Sequence, residues 1–274
     1  MKNIKKHIIS HSQLGVLSCA AETHIVEEFH VSYKYVESSA LELNILPARY
    51  QKNRNILSTR DQLLLLKSHI VVIGCGKLGN NIIEQMAFLG VGKITVFDPD
   101  NYQEKKLNGE AMQDARMQGI PKIDLAHARI REINPAVEII PIPLVFRKNI
   151  RLKDLQNVNV IIDTVDSIQT RIDLAGVCCE IGVPYINGRI ENWFGYVARQ
   201  MPDYPIIKIS YKGSESFANC GITKTVNNLS NMPRIIACFQ LAEVCRIVLG
   251  KKLWKDKQRL FIDTQLTEIE NITL

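Results

Sequence analysis

The run Ile70-Val-Val-Ile-Gly-Cys-Gly-Lys-Leu-Gly79 admits few folds. Four apolar residues carry a strand into Gly74, Gly76 and Gly79, the G-x-G-x-x-G spacing that opens a helix onto a phosphate. The first glycine permits the tight turn, the second lets a phosphate approach the backbone, and the third lets the helix pack near the strand. The helix N-terminus adds unpaired N–H groups and the positive end of a dipole. A second apolar strand, residues 93–97, ends in Asp98 about twenty residues after Gly79, where a carboxylate meets a ribose hydroxyl. The unit therefore reads as an adenine-nucleotide site, and the spacing alone does not say which nucleotide.

The pattern around this unit alternates strand and helix. Strands are expected at residues 70–73, 93–97, 138–142, 158–164 and 184–187. Helices are expected at 60–67, 79–89, 122–133 and 169–181, with a further helical turn near 152–156. Asn134-Pro135 and Gly182 stop two of these helices. Such a rhythm predicts an α/β fold, a doubly wound, mostly parallel Rossmann-like sheet whose ligand lies at the carboxyl ends of the strands. After Gly188 the pattern changes, and residues 193–199 and 206–211 read as antiparallel strands of the C-terminal half. A polar loop over 212–231, a buried amphipathic helix over 234–249 and a last strand over 259–263 complete this part. Residues 1–46 read as a small β-rich N-terminal extension, because residues 25–36 place Val31, Tyr33 and Tyr35 in alternation. Residues 47–274 then form the nucleotide-binding domain.

Composition excludes several function classes. Of 274 residues, 46% are hydrophobic and 23% charged, which supplies an ordinary globular core. The net charge of +6 is scattered, which disfavours nucleic acid as a partner. The apolar runs are far too short to span a bilayer, and residues 1–7 lead into no signal-peptide core, so a cytoplasmic protein is expected. Seven cysteines at irregular spacing, with no C-x-x-C pair, predict reduced thiols and no structural zinc. Only Cys220, between Asn219 and Gly221 in a polar loop, has a setting that suggests chemistry. The six histidines show no metal-ligand spacing and are read as structural or exposed.

From Gly74-Cys-Gly-Lys-Leu-Gly79 onward the chain resembles the ThiF/MoeB/HesA family of adenylating enzymes, relatives of ubiquitin-activating enzymes. The resemblance covers roughly residues 49–250 and rests on an ordered set of motifs. Arg49-Tyr-Gln-Lys-Asn-Arg-Asn-Ile56 is similar to the family's arginine-bearing segment ahead of the glycines. Asp98-Pro-Asp100 stands at its acidic pair, and Gly119-Ile-Pro-Lys122 at its glycine-x-proline-lysine. Ile133-Asn-Pro135, Ile162-Asp-Thr-Val-Asp-Ser167 with Arg171, Pro184-Tyr-Ile-Asn-Gly188 and Gln240-Leu-Ala-Glu243 follow in order. The resemblance implies an ATP-dependent adenylyltransferase, in which a carboxylate attacks the α-phosphorus and pyrophosphate leaves. It implies that Asp98 and Asp100 hold the ribose and that Lys122 lies along the phosphates. Asp163 joins the nucleotide site, Asp166 holds Mg²⁺, and Arg54 reaches a phosphate across a homodimer interface. The implied partner is the C-terminus of a ubiquitin-like sulfur carrier, or else a peptide or small-molecule carboxylate that residues 1–46 would help to recognise.

The chain also departs from the family. Its asparagine-leucine-x-arginine-glutamine run becomes Lys106-Leu107-Asn108-Gly109-Glu110. Losing a phosphate-facing arginine weakens activation by an amount on the order of a few kcal/mol unless Lys105 or Lys106 replaces its charge. The resemblance implies that Lys106 and Asn108 are the nucleotide-binding residues of this segment. Cys220 aligns with a cysteine that some relatives use to take the activated acyl group, while its own surroundings offer only Lys224 as a neighbouring cation. Two other readings stay open. One is a family member that binds nucleotide or partner without turnover. The other is an NAD-dependent oxidoreductase, which explains residues 74–98 but gives Lys122 and Asp166 no role.

Overall fold

The computed structural model describes residues 2–103, 117–146, 157–204, 229–251 and 258–273. The chain opens with α1 (Lys2–His11), β1 (Ser12–Gln13), β2 (Val16–Leu17), α2 (Cys19–Phe29), α3 (Tyr33–Glu42), β3 (Leu46–Pro47) and a 3₁₀ turn (Ala48–Asn53). Next come α4 (Thr59–Lys67), β4 (His69–Ile73), α5 (Lys77–Leu89), β5 (Lys93–Phe97), α6 (Lys122–Ile133) and β6 (Glu138–Ile142). The second half holds β7 (Val160–Asp163), α7 (Ile168–Ile181), β8 (Tyr185–Glu191), β9 (Phe194–Gln200), α8 (Met232–Val248), β10 (Gln258–Asp263) and β11 (Glu268–Thr273). The expected elements at 152–156 and 206–211, and most of the loop at 212–231, lie outside the described residues.

Eight strands form one sheet in the order β11-β10-β9-β8-β7-β4-β5-β6. The five from β6 to β8 are parallel, and β9, β10 and β11 add antiparallel pairs at one side. β4 is buried along its whole length, and its residues alternate between two cores, as strand geometry requires. Ile70 and Val72 face the core made with α5, α6 and α8, while Val71 and Ile73 face the core made with α7. The sheet is thus covered on both faces, the condition that parallel strands demand. Fully buried Ile82, Ile83 and Met86 anchor α5 on its face, each worth about 2 kcal/mol of burial.

The α/β expectation holds in element order and in strand direction. β8 runs on to Glu191 and turns through Asn192, at φ 54°, into β9, so the strand expected at 184–187 is longer. β11 has no counterpart in the sequence reading, because Ile269 and Ile272 on this edge strand remain largely exposed and leave no apolar alternation to detect.

The N-terminal segment corrects the reading. Where a strand was expected at 25–36, the chain forms the end of α2, a turn and the start of α3. Ser18 and Ser32 cap the two helices by accepting the N–H groups of Ala21 and Tyr35. His30, at φ 51°, ends α2 with its N–H on the Val26 carbonyl. Ile25, Val36, Ala40 and Ile8 then share a small core, so the helical period wins over the alternation of Val31, Tyr33 and Tyr35. The strands in this segment are only the short β1, β2 and β3.

A buried polar cluster ties these helices to the sheet domain. Arg49 lies 3.0 Å from Glu22 and 2.8 Å from Glu37, and both carboxyls are almost fully buried. Tyr50 donates to Glu37 at 2.8 Å and accepts from the Asn134 amide at 2.8 Å. Asn134 also donates to the Ala87 carbonyl at the end of α5. One arginine thus serves two buried acids. Burial, with Glu22 beside it, pushes the Glu37 carboxyl from 4.5 up to about 8. The folded chain therefore holds a proton that the unfolded chain has released, so this contribution is complete below the lower value and is lost as pH rises through the upper one. Thermal midpoints measured from pH 5 to pH 9 should fall with pH in the wild type and fall less steeply in Glu37→Gln. An unchanged slope would show that Glu37 carries no such proton.

Candidate functional site

Register places three loops side by side. Ile73, Phe97 and Asp163 are paired neighbours at the carboxyl ends of β4, β5 and β7. The loops that follow them carry the glycine turn, Asp98-Pro-Asp100 and Asp166. This is the switch point of the sheet, where β4 is followed by β5 on one side and paired with β7 on the other.

The glycine turn has the expected division of labour. Gly74 has φ +103°, a conformation that L side chains rarely adopt, and a Cβ there would lie 2.6 Å from the Thr164 hydroxyl. A Cβ on Gly79 would lie 2.1 Å from the Gly74 carbonyl oxygen, so only glycine lets α5 start this close to the turn. A Cβ on Gly76 would meet nothing within 4 Å, which leaves open space over the start of α5. Gly76 is also the N-cap and offers no side chain to the first N–H groups of the helix.

Asp98 is buried, and its two oxygens accept from the Cys75 N–H at 2.6 Å and from the Asp100 N–H at 2.8 Å. It fastens the second loop to the glycine turn. Asp100, half exposed, lies 3.7 Å from the Lys122 ammonium, and its carbonyl accepts the Lys122 N–H. Lys122 opens α6 with only 4% of its side chain exposed, so it is not a solvated helix end. Residues the sequence reading passed over complete this corner. The Cys75 thiol donates to the buried Asn80 amide oxygen at 2.9 Å, and Asn80 donates to the Tyr102 hydroxyl at 2.9 Å. The signal was present in two polar residues, Asn80 and Asn81, on a helix face that points inward.

Asp163 and Asp166 take different places. Asp166 is exposed on the loop, and Ser167 rather than either aspartate caps α7. Asp163 is fully buried and accepts from Tyr185 at 2.7 Å, Asn187 at 2.6 Å and the Val165 N–H at 2.8 Å. Arg171 stands 3.3 Å from the same carboxylate and donates to the Val165 carbonyl. Burial pushes the Asp163 carboxyl up, and Arg171 with the three donors opposes that shift. The Asp163 carboxylate thus faces the protein interior, where it holds the loop that presents Asp166. Gln240 on α8 donates to the Asp163 carbonyl and packs over Gly188, where a Cβ would lie 2.5 Å from its amide nitrogen.

Arg54 lies elsewhere within the chain. It is exposed beyond the 3₁₀ turn, beside Gly15, Asn44, Ser58 and Thr59. Its neighbour Arg49 is spent on the two buried glutamates. Lys105, Lys106, Asn108, Gly109, Glu110, Cys220 and Lys224 lie outside the described residues. Among the described residues no group of three His, Cys, Asp or Glu side chains is converged for a metal, and no helix is long and apolar enough to cross a membrane.

Comparison with known proteins agrees with this geometry. Residues 50–274 match the ThiF family. The SAMP-activating enzyme E1 of Haloferax volcanii is 27% identical over 208 residues, which cover 76% of this chain and 77% of that protein. The adenylyltransferase and sulfurtransferase MOCS3 of Xenopus laevis is 27% identical over 198 residues, 71% of this chain and 43% of that protein. The chain spans about half the length of the MOCS3 relatives it matches. The crystal structure of E. coli MccB with ATP superposes with a TM-score of 0.70 at 16% identity, over 99% of this chain and 86% of that one. The chain belongs to the ThiF family of adenylating enzymes.

If Asp163 is an internal anchor, Asp163→Asn leaves Arg171 buried without its counter-charge. The loss should be about 3 kcal/mol of unfolding free energy in urea titration. A variant as stable as the wild type would instead return Asp163 to ligand binding.

Proposed function

We propose that this ThiF-family chain is an ATP-dependent adenylyltransferase that activates a carboxylate as an acyl-adenylate and releases pyrophosphate. The observation that carries the reading is the convergence of the open Gly76 turn, Asp98 with Asp100, buried Lys122 and exposed Asp166 on loops leaving three adjacent strand ends. A dehydrogenase site needs the first two of these and leaves the last two idle.

The residue chemistry suits ATP. The uncapped start of α5 and the space over Gly76 suit phosphate oxygens, which backbone N–H groups and the helix dipole attract. Asp98 and Asp100 stand where the ribose hydroxyls of a nucleotide on this turn would lie. Lys122 already sits in low-dielectric surroundings beside Asp100, so its charge acts strongly on a nearby phosphate. The reaction builds negative charge on the phosphate oxygens while the substrate carboxylate attacks the α-phosphorus, so positioning and electrostatic stabilisation do most of the work. Mg²⁺ commonly takes one or two carboxylates and completes its shell with substrate phosphates and water, and Asp166 suits that role better than saturated Asp163. Bound there, the ion would neutralise phosphate charge.

The substrate carboxylate is the C-terminus of a ubiquitin-like sulfur carrier or of a peptide. The relatives' names support this choice, as does the added N-terminal segment. Arg54 and Cys220 keep secondary roles in the proposal. Arg54 acts across a homodimer interface, and Cys220 takes the acyl group from the adenylate, with AMP leaving.

Calorimetric titration with MgATP and with NAD⁺ tests the reading. MgATP should bind and NAD⁺ should not, and Asp98→Ala should weaken MgATP about ten-fold or more, because it removes both the carboxylate at the ribose position and the bonds that fasten the loop to the glycine turn. NAD⁺ binding alone would overturn the proposal. With a carboxylate substrate in hand, Asp166→Ala should lower pyrophosphate release about a hundred-fold at an unchanged thermal midpoint. Undiminished release would remove Asp166 from the mechanism.

A further inference from the structure

The helical N-terminal segment carries a set of side chains that adenylation does not use. His7 and His11 lie one turn apart on α1, and His24 and Glu28 lie one turn apart on α2. Spacing of i, i+4 puts each pair on one helix face. The two faces meet. The His7 and His11 rings stack with centroids 5.9 Å apart, and the His11 and His24 centroids are 5.6 Å apart. Glu28 stands between, with one carboxylate oxygen 3.4 Å from His7 Nδ1 and 3.6 Å from His24 Nε2. Reading this segment as strand hides the arrangement, because i, i+4 residues of a strand lie far apart.

We propose that His7, His11, His24 and Glu28 form a binding site for a divalent transition-metal ion of the Zn²⁺ class, independent of the adenylation reading. Three observations carry it. First, a tetrahedral Zn²⁺ site with bonds of about 2.0–2.1 Å places its donor atoms about 3.4 Å apart, close to both Glu28 distances. Second, His7 Nδ1 is buried and makes no hydrogen bond, while Phe29 meets the ring edge-on at 4.9 Å and holds its orientation. A ring nitrogen held unbonded beside a carboxylate is available to a cation. Third, His11 Nδ1 lies 2.8 Å from the His7 carbonyl oxygen. A carbonyl only accepts, so Nδ1 carries the proton and Nε2 keeps its lone pair, the tautomer that metal-bound histidines use. The four donors are not yet converged on one point. His11 is exposed, and 59% of the His24 side chain is exposed, so neither ring is held by the core and each can adjust towards Glu28 about the contacts it already makes. Imidazole and carboxylate donors of this kind select Zn²⁺, Ni²⁺ or Cu²⁺ over Mg²⁺ or Ca²⁺. A bound ion would cross-link α1 to α2.

The test uses the full chain, prepared without an added histidine tag, and titrates Zn²⁺ by calorimetry and Co²⁺ by absorbance. One equivalent should bind, and Co²⁺ should give visible d–d bands without the near-ultraviolet charge-transfer band of thiolate ligands. His11→Ala and His24→Ala should each lower Zn²⁺ affinity about ten-fold or more while leaving the far-ultraviolet circular dichroism unchanged. A thiolate band would assign the metal to cysteines and overturn the proposal. So would an affinity that both variants retain, or the absence of binding at one equivalent.

Discussion

The fully buried carboxylate of Asp163 is the contact on which the rest of the site depends. It ends β7, gathers donors from β8 and from its own loop, and faces Arg171 of α7 across 3.3 Å. Gln240 of α8 bonds the carbonyl of the same residue. Four elements are therefore fixed to one residue at the switch point of the sheet. A buried charge is tolerated only when it is surrounded by donors, and here the surrounding donors set the path of the loop that leads to Asp166. Thr164, the next residue, bonds the Ile73 and Gly74 carbonyls and so holds the glycine turn from the other side.

Seen from that residue, the family motifs divide into two groups. Gly76 borders the open side of the turn, with Asp98, Asp100 and Lys122 bonded to one another beside it and Asp166 exposed on the neighbouring loop. Arg49, Tyr50, Asn134, Arg171, Asn187, Gly188, Gln240 and Glu243 form a polar skeleton behind it. Glu243 takes Arg199 at 2.8 Å with both side chains almost fully buried. Tyr50 and Asn134, from two distant motifs, bond directly to each other. A residue can thus recur in a pattern through what it holds rather than what it touches.

Much of this was legible in the sequence. Helix 122–133 and strands 93–97 and 138–142 have the bounds that apolar runs and a proline stop predict. The glycine turn was legible because its steric demands are local. The inward orientation of the Asp163 carboxylate was not. Nothing local distinguishes a carboxylate that faces the interior from one that faces a ligand, and the two lie only three residues apart in Asp163 and Asp166. Residues 25–36 misled because β-branched and aromatic residues crowd a helix start, where Ser32 as a cap is the weaker signal. Missing those helices also hid the facing histidines, since their relation exists only at a helical period.

The link between Tyr50 and Asn134 also has a meaning in time. It spans 84 residues of chain, and the strand pairing that places β7 beside β4 closes a loop of similar length, with His69 bonded to Asn159 90 residues on. During synthesis at about 5–20 residues per second, roughly 4–17 s pass between the making of Tyr50 and that of Asn134. Through that interval Tyr50 lacks its amide partner, and the apolar surface around Leu41, Leu46 and Leu66 lacks Ala136. Until residues 134–136 are made that face stays incomplete, and a nascent chain would offer it to chaperones.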